Sequence, residues 1–211
     1  MMSKTVLLVE GRQDLRVIPE LIEKNGVPWV KGDPHIPHIH VCDGDSKLLA
    51  QITIWLKETS LSALGIVVDA DDNPRGRWES IRNVCRKVIP DLPEELPESG
   101  LICNASNEVK FGVWIMPDNR MEGMLETFLA YLIPDERETL WEFAQESSQA
   151  AKTHGAKFTE FQIDKANIYT WLAWQNPPGR QLHQAVMEKI LDPTHPNAQK
   201  FVTWFKELYG L

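Results

Sequence analysis

The chain has 211 residues, 43% of them apolar and 25% charged, with a formal net charge of −8. That length and balance suit a folded domain, or one with an appendage, that buries its own core. They exclude non-specific nucleic-acid binding through a broadly basic face. The three cysteines, Cys42, Cys85 and Cys103, have no paired spacing, which excludes a disulfide scaffold and suits a reducing, cytoplasmic setting.

Met1-Met2-Ser3-Lys4 leads directly into a strand without a long apolar leader. No later stretch approaches membrane-spanning length, so no membrane partner is expected. Residues 4–10, Lys-Thr-Val-Leu-Leu-Val-Glu, read as a buried strand ending in an acid, Glu10. Gly11 allows a tight turn, and Asp14 is placed to cap a helix over 14–24 that stops at Asn25-Gly26. A strand over 35–42 follows, then Asp43-Gly44-Asp45 and an amphipathic helix over 46–58.

The most informative stretch is Gly65-Ile66-Val67-Val68-Asp69-Ala70-Asp71-Asp72. A short apolar run, mostly β-branched, reads as a strand over 64–69 buried on both faces, as in parallel sheets. Its carboxylates then stand at the carboxyl end, where open α/β sheets place their sites. Asp69 and Asp71 are two apart, so in an extended chain they point the same way. Acids crowded so repel one another unless a cation or a shared proton lies between them. Magnesium, which takes hard oxygen ligands, is the usual cation. The same residues equally fit a helix N-cap with acids at the positive end of the dipole.

A helix over 74–89 opens at Pro74, and a proline-rich acidic loop spans 90–99. Strands over 100–104 and 109–116 come next, the second ending in Met116-Pro117-Asp118-Asn119. A helix over 121–132 sets Glu122 and Glu126 on one face. The remainder reads as helices over 135–152, 164–175, 180–191 and 197–209. Strands alternating with helices predict parallel pairing with right-handed crossovers. The division expected is an α/β unit over 1–133 with a helical extension over 134–211 packed on it.

Val9-Glu10-Gly11-x-x-Asp14 on the first strand, with Asp69-x-Asp71 on a later one, resembles the Toprim signature. Met116-Pro117-Asp118-Asn119-x-x-x-Gly123-x-x-Glu126 resembles stand-alone Toprim-like proteins grouped as a domain of unknown function, and more distantly the overcoming-lysogenization-defect nucleases. The resemblance covers roughly residues 4–130. It implies a Rossmann-like, mainly parallel sheet with helices on both faces, and magnesium- or manganese-dependent phosphodiester chemistry of a nuclease type. Carried over by motif, Glu10 handles protons or metal, and Asp69, Asp71, Asp14 and Glu126 bind metal. Lys165, in Ile163-Asp164-Lys165-Ala166, assists catalysis. Two hard cations held by about four carboxylates can position a nucleophile, clamp a phosphate and help the leaving oxygen.

Arg75 and Arg77, just after the acidic strand end, are candidates for phosphate contact, against a solvated face for the rest of that basic helix. Asp72, Asp118 and Glu122 are secondary candidates; Asp118 and Glu122 fit equally as caps of the helix at 121. His35, His38 and His40 lack the ligands that complete a zinc site, and Trp171 and Trp174 read as core rather than as a stacking platform. No phosphate-binding glycine loop and no nucleophile elbow is present. Nucleic acid is the expected substrate and a protein partner is expected to help grip it. The alternative is a non-catalytic subunit that binds metal or nucleotide in the acidic pocket.

Overall fold

The computed structural model describes residues 4–105 and 108–211. The reading of Met1-Met2-Ser3 lies outside them. Five strands form one sheet: β1 (Lys4–Val9), β2 (His38–Val41), β3 (Leu61–Asp69), β4 (Leu101–Asn104) and β5 (Lys110–Met116), in the order β2-β1-β3-β5-β4. The pairs β1–β2, β1–β3 and β3–β5 are parallel, and β4 closes the far edge antiparallel to β5. This is the α/β, mainly parallel architecture expected from the sequence.

Parallel strands need crossovers, and the amphipathic segments supply them. The helices α1 (Arg12–Lys24), α2 (Asp45–Trp55) and α3 (Pro74–Cys85) connect the strands. They are followed by α4 (Leu125–Ala130), α5 (Glu138–Thr153), α6 (Ile163–Ala173), α7 (Leu182–Met187) and α8 (Pro196–Tyr209). Side-chain alternation divides the strands between two cores. Val6, Leu8, Leu64, Ile66, Val68, Val113 and Ile115 bury with α2 and α3 on one face. Leu7, Val9, Val67, Trp114 and Met116 bury with α1, α4, α6, α7 and α8 on the other. The near-continuous apolar strands are therefore the direct consequence of a sheet covered on both sides.

The sequence overestimates several helices, two of them most. The segment expected as a helix over 121–132 is helical only from Leu125 to Ala130. Gly123, at φ 134°, instead forms an antiparallel bridge with Asp71, each donating its N–H to the other's carbonyl at 2.7–2.9 Å. The helix expected over 180–191 stops at Met187, where Lys189 takes φ 58°. Backbone pairing and a left-handed residue end these helices before their apolar periodicity does. β4 pairs with β5 as an antiparallel hairpin at the sheet edge, because the link between them is too short for a crossover.

The C-terminal helices are built into the sheet's cover. The Trp204 indole donates to the Leu101 carbonyl at 2.9 Å, and the Tyr209 hydroxyl donates to the Val6 carbonyl at 2.8 Å. The end of α1 is tied to this region as well, since Lys206 Nζ donates to the Asn25 carbonyl at 2.7 Å and Asn25 Nδ2 to that of Pro193 at 2.9 Å. Leu208 lies against Gly65 and Gly112, which are partners in register on β3 and β5. A Cβ at Gly112 would stand 2.7 Å from Leu208 Cδ2 and 3.2 Å from the Leu101 carbonyl oxygen. Gly112→Ala is therefore expected to destabilise the fold by about 1–3 kcal/mol through overpacking, read as a lower urea midpoint at unchanged slope.

Candidate functional site

The carboxyl ends of β1 and β3 lie side by side in the middle of the sheet, with Val9 opposite Val67. From β1 the chain enters α1, and its neighbours β2 and β3 lie on opposite sides of it. This is the topological switch point at which doubly wound sheets open a crevice.

Glu10 follows β1 directly. Its Oε2 accepts the Asp69 backbone N–H at 2.9 Å, which joins the two strand ends. Gly11 is extended at φ −130°, so the turn does not use glycine's conformational freedom. The helix begins at Arg12 rather than at Asp14. Asp14 sits in its first turn and reaches back to accept the Gly11 N–H at 3.0 Å. That position buries Asp14 in the sheet–helix seam.

Asp69 ends β3, and its Oδ1 accepts the Leu125 N–H at 2.8 Å at the start of α4. One residue into that helix, Glu126 is buried, and its Oε1 pairs with Lys165 Nζ on α6 at 3.1 Å. The lysine's helix is fixed by its neighbour: Thr127 Oγ1 donates to Asp164 Oδ2 at 2.5 Å and accepts the Met124 N–H at 3.0 Å.

Asp69 and Asp71 do not point the same way. The extended chain ends at Ala70, and Asp71 takes φ 52°, held there by its bridge to Gly123. Its Oδ2 meets Arg77 Nη2 at 2.6 Å, and the side chain is half exposed. Arg77, from α3, also pairs with Asp45 Oδ2 at 3.0 Å and Glu10 Oε1 at 3.6 Å. The acids thus form two half-sites on opposite faces of the sheet end. Asp14, Asp69, Glu126 and Lys165 make one; Glu10, Asp45, Asp71 and Arg77 make the other.

Electrostatics reflects this crowding. Burial pushes the Asp14 carboxyl up to about 7, its two backbone hydrogen bonds oppose the shift, and Glu10 and Glu126 add to it. Burial, then repulsion from Asp14, Glu10 and Glu126, raises Asp69 well above the carboxylate range. Burial raises Glu10 also, against the Asp69 N–H and Arg77, which pull it down. Burial alone would lower Lys165, but Glu126 beside it overrides that and the net shift is upward.

A family model described as "Protein of unknown function (DUF3226)" matches residues 4–210. The chain belongs to that family. Comparison with curated proteins and with solved structures gave no match. In this DUF3226 chain, then, the carboxylate group has to be judged on its own geometry. Among the described residues no group of three or more His, Cys, Asp or Glu side chains is placed to hold a metal ion. Glu10, Asp14 and Asp69 each give an oxygen to a backbone N–H, and Glu126 gives one to Lys165. The side chains gathered here offer oxygens, the donor type that a hard cation takes, with Lys165 and Arg77 beside them.

Several expected residues lie elsewhere. Arg75 is exposed and pairs with Glu79 at 3.1 Å, four residues along its own helix. Asp118 accepts the N–H groups of Arg120 and Met121, so it caps a turn. Glu122 lies before α4, not on one face with Glu126, and it and Asp72 are exposed. Trp171 is buried in the core, whereas Trp174 is exposed and stacks on Phe143 with ring centroids 5.3 Å apart. Burial pushes the Cys42 and Cys85 thiols up to about 11 and about 12, which leaves no thiolate nucleophile in either. A groove of about 660 Å³ lined by Leu15, Trp29, Ile36 and His38 shares no residue with the acidic group.

Sequence reasoning missed Asp45 and Tyr169. Asp45 had a signal, since Asp43-Gly44-Asp45 follows a strand just as Glu10 and Asp69 end theirs. Tyr169 is one turn along α6 from Lys165, and its hydroxyl accepts from Gln13 Nε2 at 3.1 Å.

The raised Asp14 value fixes a stability trend. The folded carboxyl keeps its proton up to about pH 7, whereas in the unfolded chain it ionises near pH 4. Between those values the native state binds more protons, so stability falls as pH rises through that window and levels off above it. Urea titrations in chelator at pH 4.5, 6 and 7.5 are expected to show a decline of a few kcal/mol. Asp14→Asn is expected to flatten that decline in part, leaving the share due to Asp69 and Glu10.

Proposed function

We propose that this chain performs magnesium- or manganese-dependent phosphodiester chemistry on nucleic acid, as a Toprim-like nuclease. The observation that carries the reading is the convergence of Glu10, Asp14, Asp69 and Glu126 from separate elements at the ends of two central strands, with Lys165 and Arg77 beside them. Structural ion pairs alone rarely concentrate this much uncompensated buried acid, and such shifts gather at functional sites.

In this reading Asp14, Asp69 and Glu126 are the ligands of a divalent ion, with Glu10 at their margin. When bound, the ion supplies positive charge that offsets the carboxylates and polarises a phosphate. Glu10 takes the proton of an attacking water, a role that suits a carboxyl raised by burial and joined to Asp69. Lys165 is half exposed next to Glu126, so its ammonium is placed to neutralise charge developing on a phosphate. Arg77 contributes charge from the other half-site, and Asp45 and Asp71 hold its guanidinium in place. With a net charge of −8, the chain gains most of its grip on a polyanion from local cations or from a protein partner.

A non-catalytic subunit that binds metal or nucleotide is the second reading. It is favoured by the carboxylates each being already engaged by a backbone N–H or a cation. Against it, Trp174 alone of the eight tryptophans is exposed, so the chain lacks the broad aromatic surface of a stacking module.

Glu10→Gln and Asp69→Asn separate the roles, with cleavage of single-stranded and duplex DNA and RNA measured in manganese and metal binding measured by calorimetry. Glu10→Gln is expected to bind the ion nearly as the parent does but cleave about a hundredfold more slowly. Asp69→Asn is expected to lose both. No cleavage by the parent on any substrate, with the ion still bound, would favour the binding subunit.

A further inference from the structure

Asn25 ends α1, and of the nine asparagines in the chain it alone precedes a glycine. In an Asn-Gly pair no side chain on the glycine shields its backbone nitrogen. Once deprotonated, that nitrogen attacks the asparagine Cγ, expels the side-chain nitrogen as ammonia and closes a five-membered succinimide. Water then opens the ring, either to aspartate or to isoaspartate, which carries an extra methylene in the main chain. The sequence needs no oxidant, reductant or cofactor. Gly26 is exposed, and a Cβ there would meet nothing within 4 Å, so packing does not bar the reaction.

Hydrogen bonds bar it instead. The Gly26 N–H donates to the Glu23 carbonyl at 3.0 Å, which keeps the nucleophile protonated and turned into the end of α1. Asn25 Nδ2 donates to the carbonyls of Leu21 at 2.8 Å and Pro193 at 2.9 Å, and its Oδ1 accepts from Gln199 Nε2 at 3.1 Å. Lys206 Nζ holds the Asn25 carbonyl at 2.7 Å. Gln199 and Lys206 are seven residues apart on α8, a spacing that puts both on one helix face. Ring closure has to swing the carboxamide over the Gly26 nitrogen, which breaks the bonds to Leu21, Pro193 and Gln199.

We infer that Asn25 is a latent self-modification site, which the seam between the end of α1 and α8 keeps closed. While the seam holds, the carboxamide and the Gly26 nitrogen stay apart. When the seam opens, the succinimide forms, and its products cannot close the seam again. A carboxylate has no N–H to give the Leu21 and Pro193 carbonyls and is set against their oxygens. Isoaspartate also shifts the carbonyl that Lys206 holds. Opening is thereby recorded irreversibly. The effect bears on the sheet's cover, because α8 also carries Leu208, which lies against Gly65 and Gly112, and Tyr209, which bonds to Val6.

Incubation of the full chain in mildly alkaline buffer tests this, with the fragment that contains Asn25 followed by mass spectrometry for conversion of amide to acid. The folded parent is expected to react at least about tenfold more slowly than the same chain in urea, because only the open fraction reacts. Lys206→Ala and Gln199→Ala are each expected to raise the folded rate about fivefold, the change that one lost hydrogen bond makes to an opening equilibrium. Ile52→Val, in the core on the opposite face of the sheet, lowers overall stability without touching the seam and is expected to keep the parent's rate. A folded parent that reacts as fast as the unfolded chain, seam variants that react at the parent's rate, or an equal rise in Ile52→Val would each overturn the inference. Should Lys206→Ala fail to fold, Gln199→Ala decides alone. Reacted parent is expected to unfold at lower urea than unreacted parent; equal midpoints would overturn the irreversible record.

Discussion

Like charges held together where water is scarce are the constraint on which the upper end of this sheet depends. Asp14 and Glu126 are buried and Asp69 is partly buried, and each lies within electrostatic reach of the others. Nothing in the hydrophobic cores requires acids there. An apolar residue in place of Asp14 would relieve the desolvation that now raises its carboxyl. The fold holds them through specific hydrogen bonds, Gly11 to Asp14, Leu125 to Asp69 and Asp69 to Glu10. Each bond recovers part of what burial costs, and each also fixes the orientation of an oxygen.

The sheet divides that charge. Residues alternate between faces, so Val67 and Asp69 share the face that carries α1, α4 and α6, and Glu10 shares the face of Leu8, toward α2 and α3. Lys165 answers the acids on the first face and Arg77 those on the second. Glu10 is the joint, because its carboxylate touches the backbone of Asp69 and faces Arg77 on the other side. A cluster split across a sheet in this way sets two cations in two environments side by side.

Packing far from the crevice determines whether these elements meet. α6 carries Lys165 and lies against α4 and α5, while α8 lies across β3, β4 and β5. Leu208 fills the space that Gly65 and Gly112 leave open, and Tyr209 bonds to the Val6 carbonyl. The C-terminal helices therefore both cover the sheet and deliver one of the site's two cations. No helix among the described residues is long and apolar enough to cross a membrane.

Local pattern in the sequence determined the strands and their acid termini, because a buried parallel strand must be apolar along its length and can turn polar only where it ends. Glu10 and Asp69 were legible as acids at strand ends for that reason, as was the α/β class, whereas Asp14 and Glu126 came only from the motif resemblance. Three things were decided only in three dimensions. Asp71 parts from Asp69 because a bridge to Gly123, more than fifty residues away, turns its backbone left-handed. Asp45 joins the site because β2 lies beside β1, and strand order is not written in any local stretch. Arg77 separates from Arg75, its near neighbour on α3, because one faces the crevice and pairs with three acids while the other faces solvent and pairs along its own helix. Spacing along a chain sets which way a side chain can point; only packing sets what it meets.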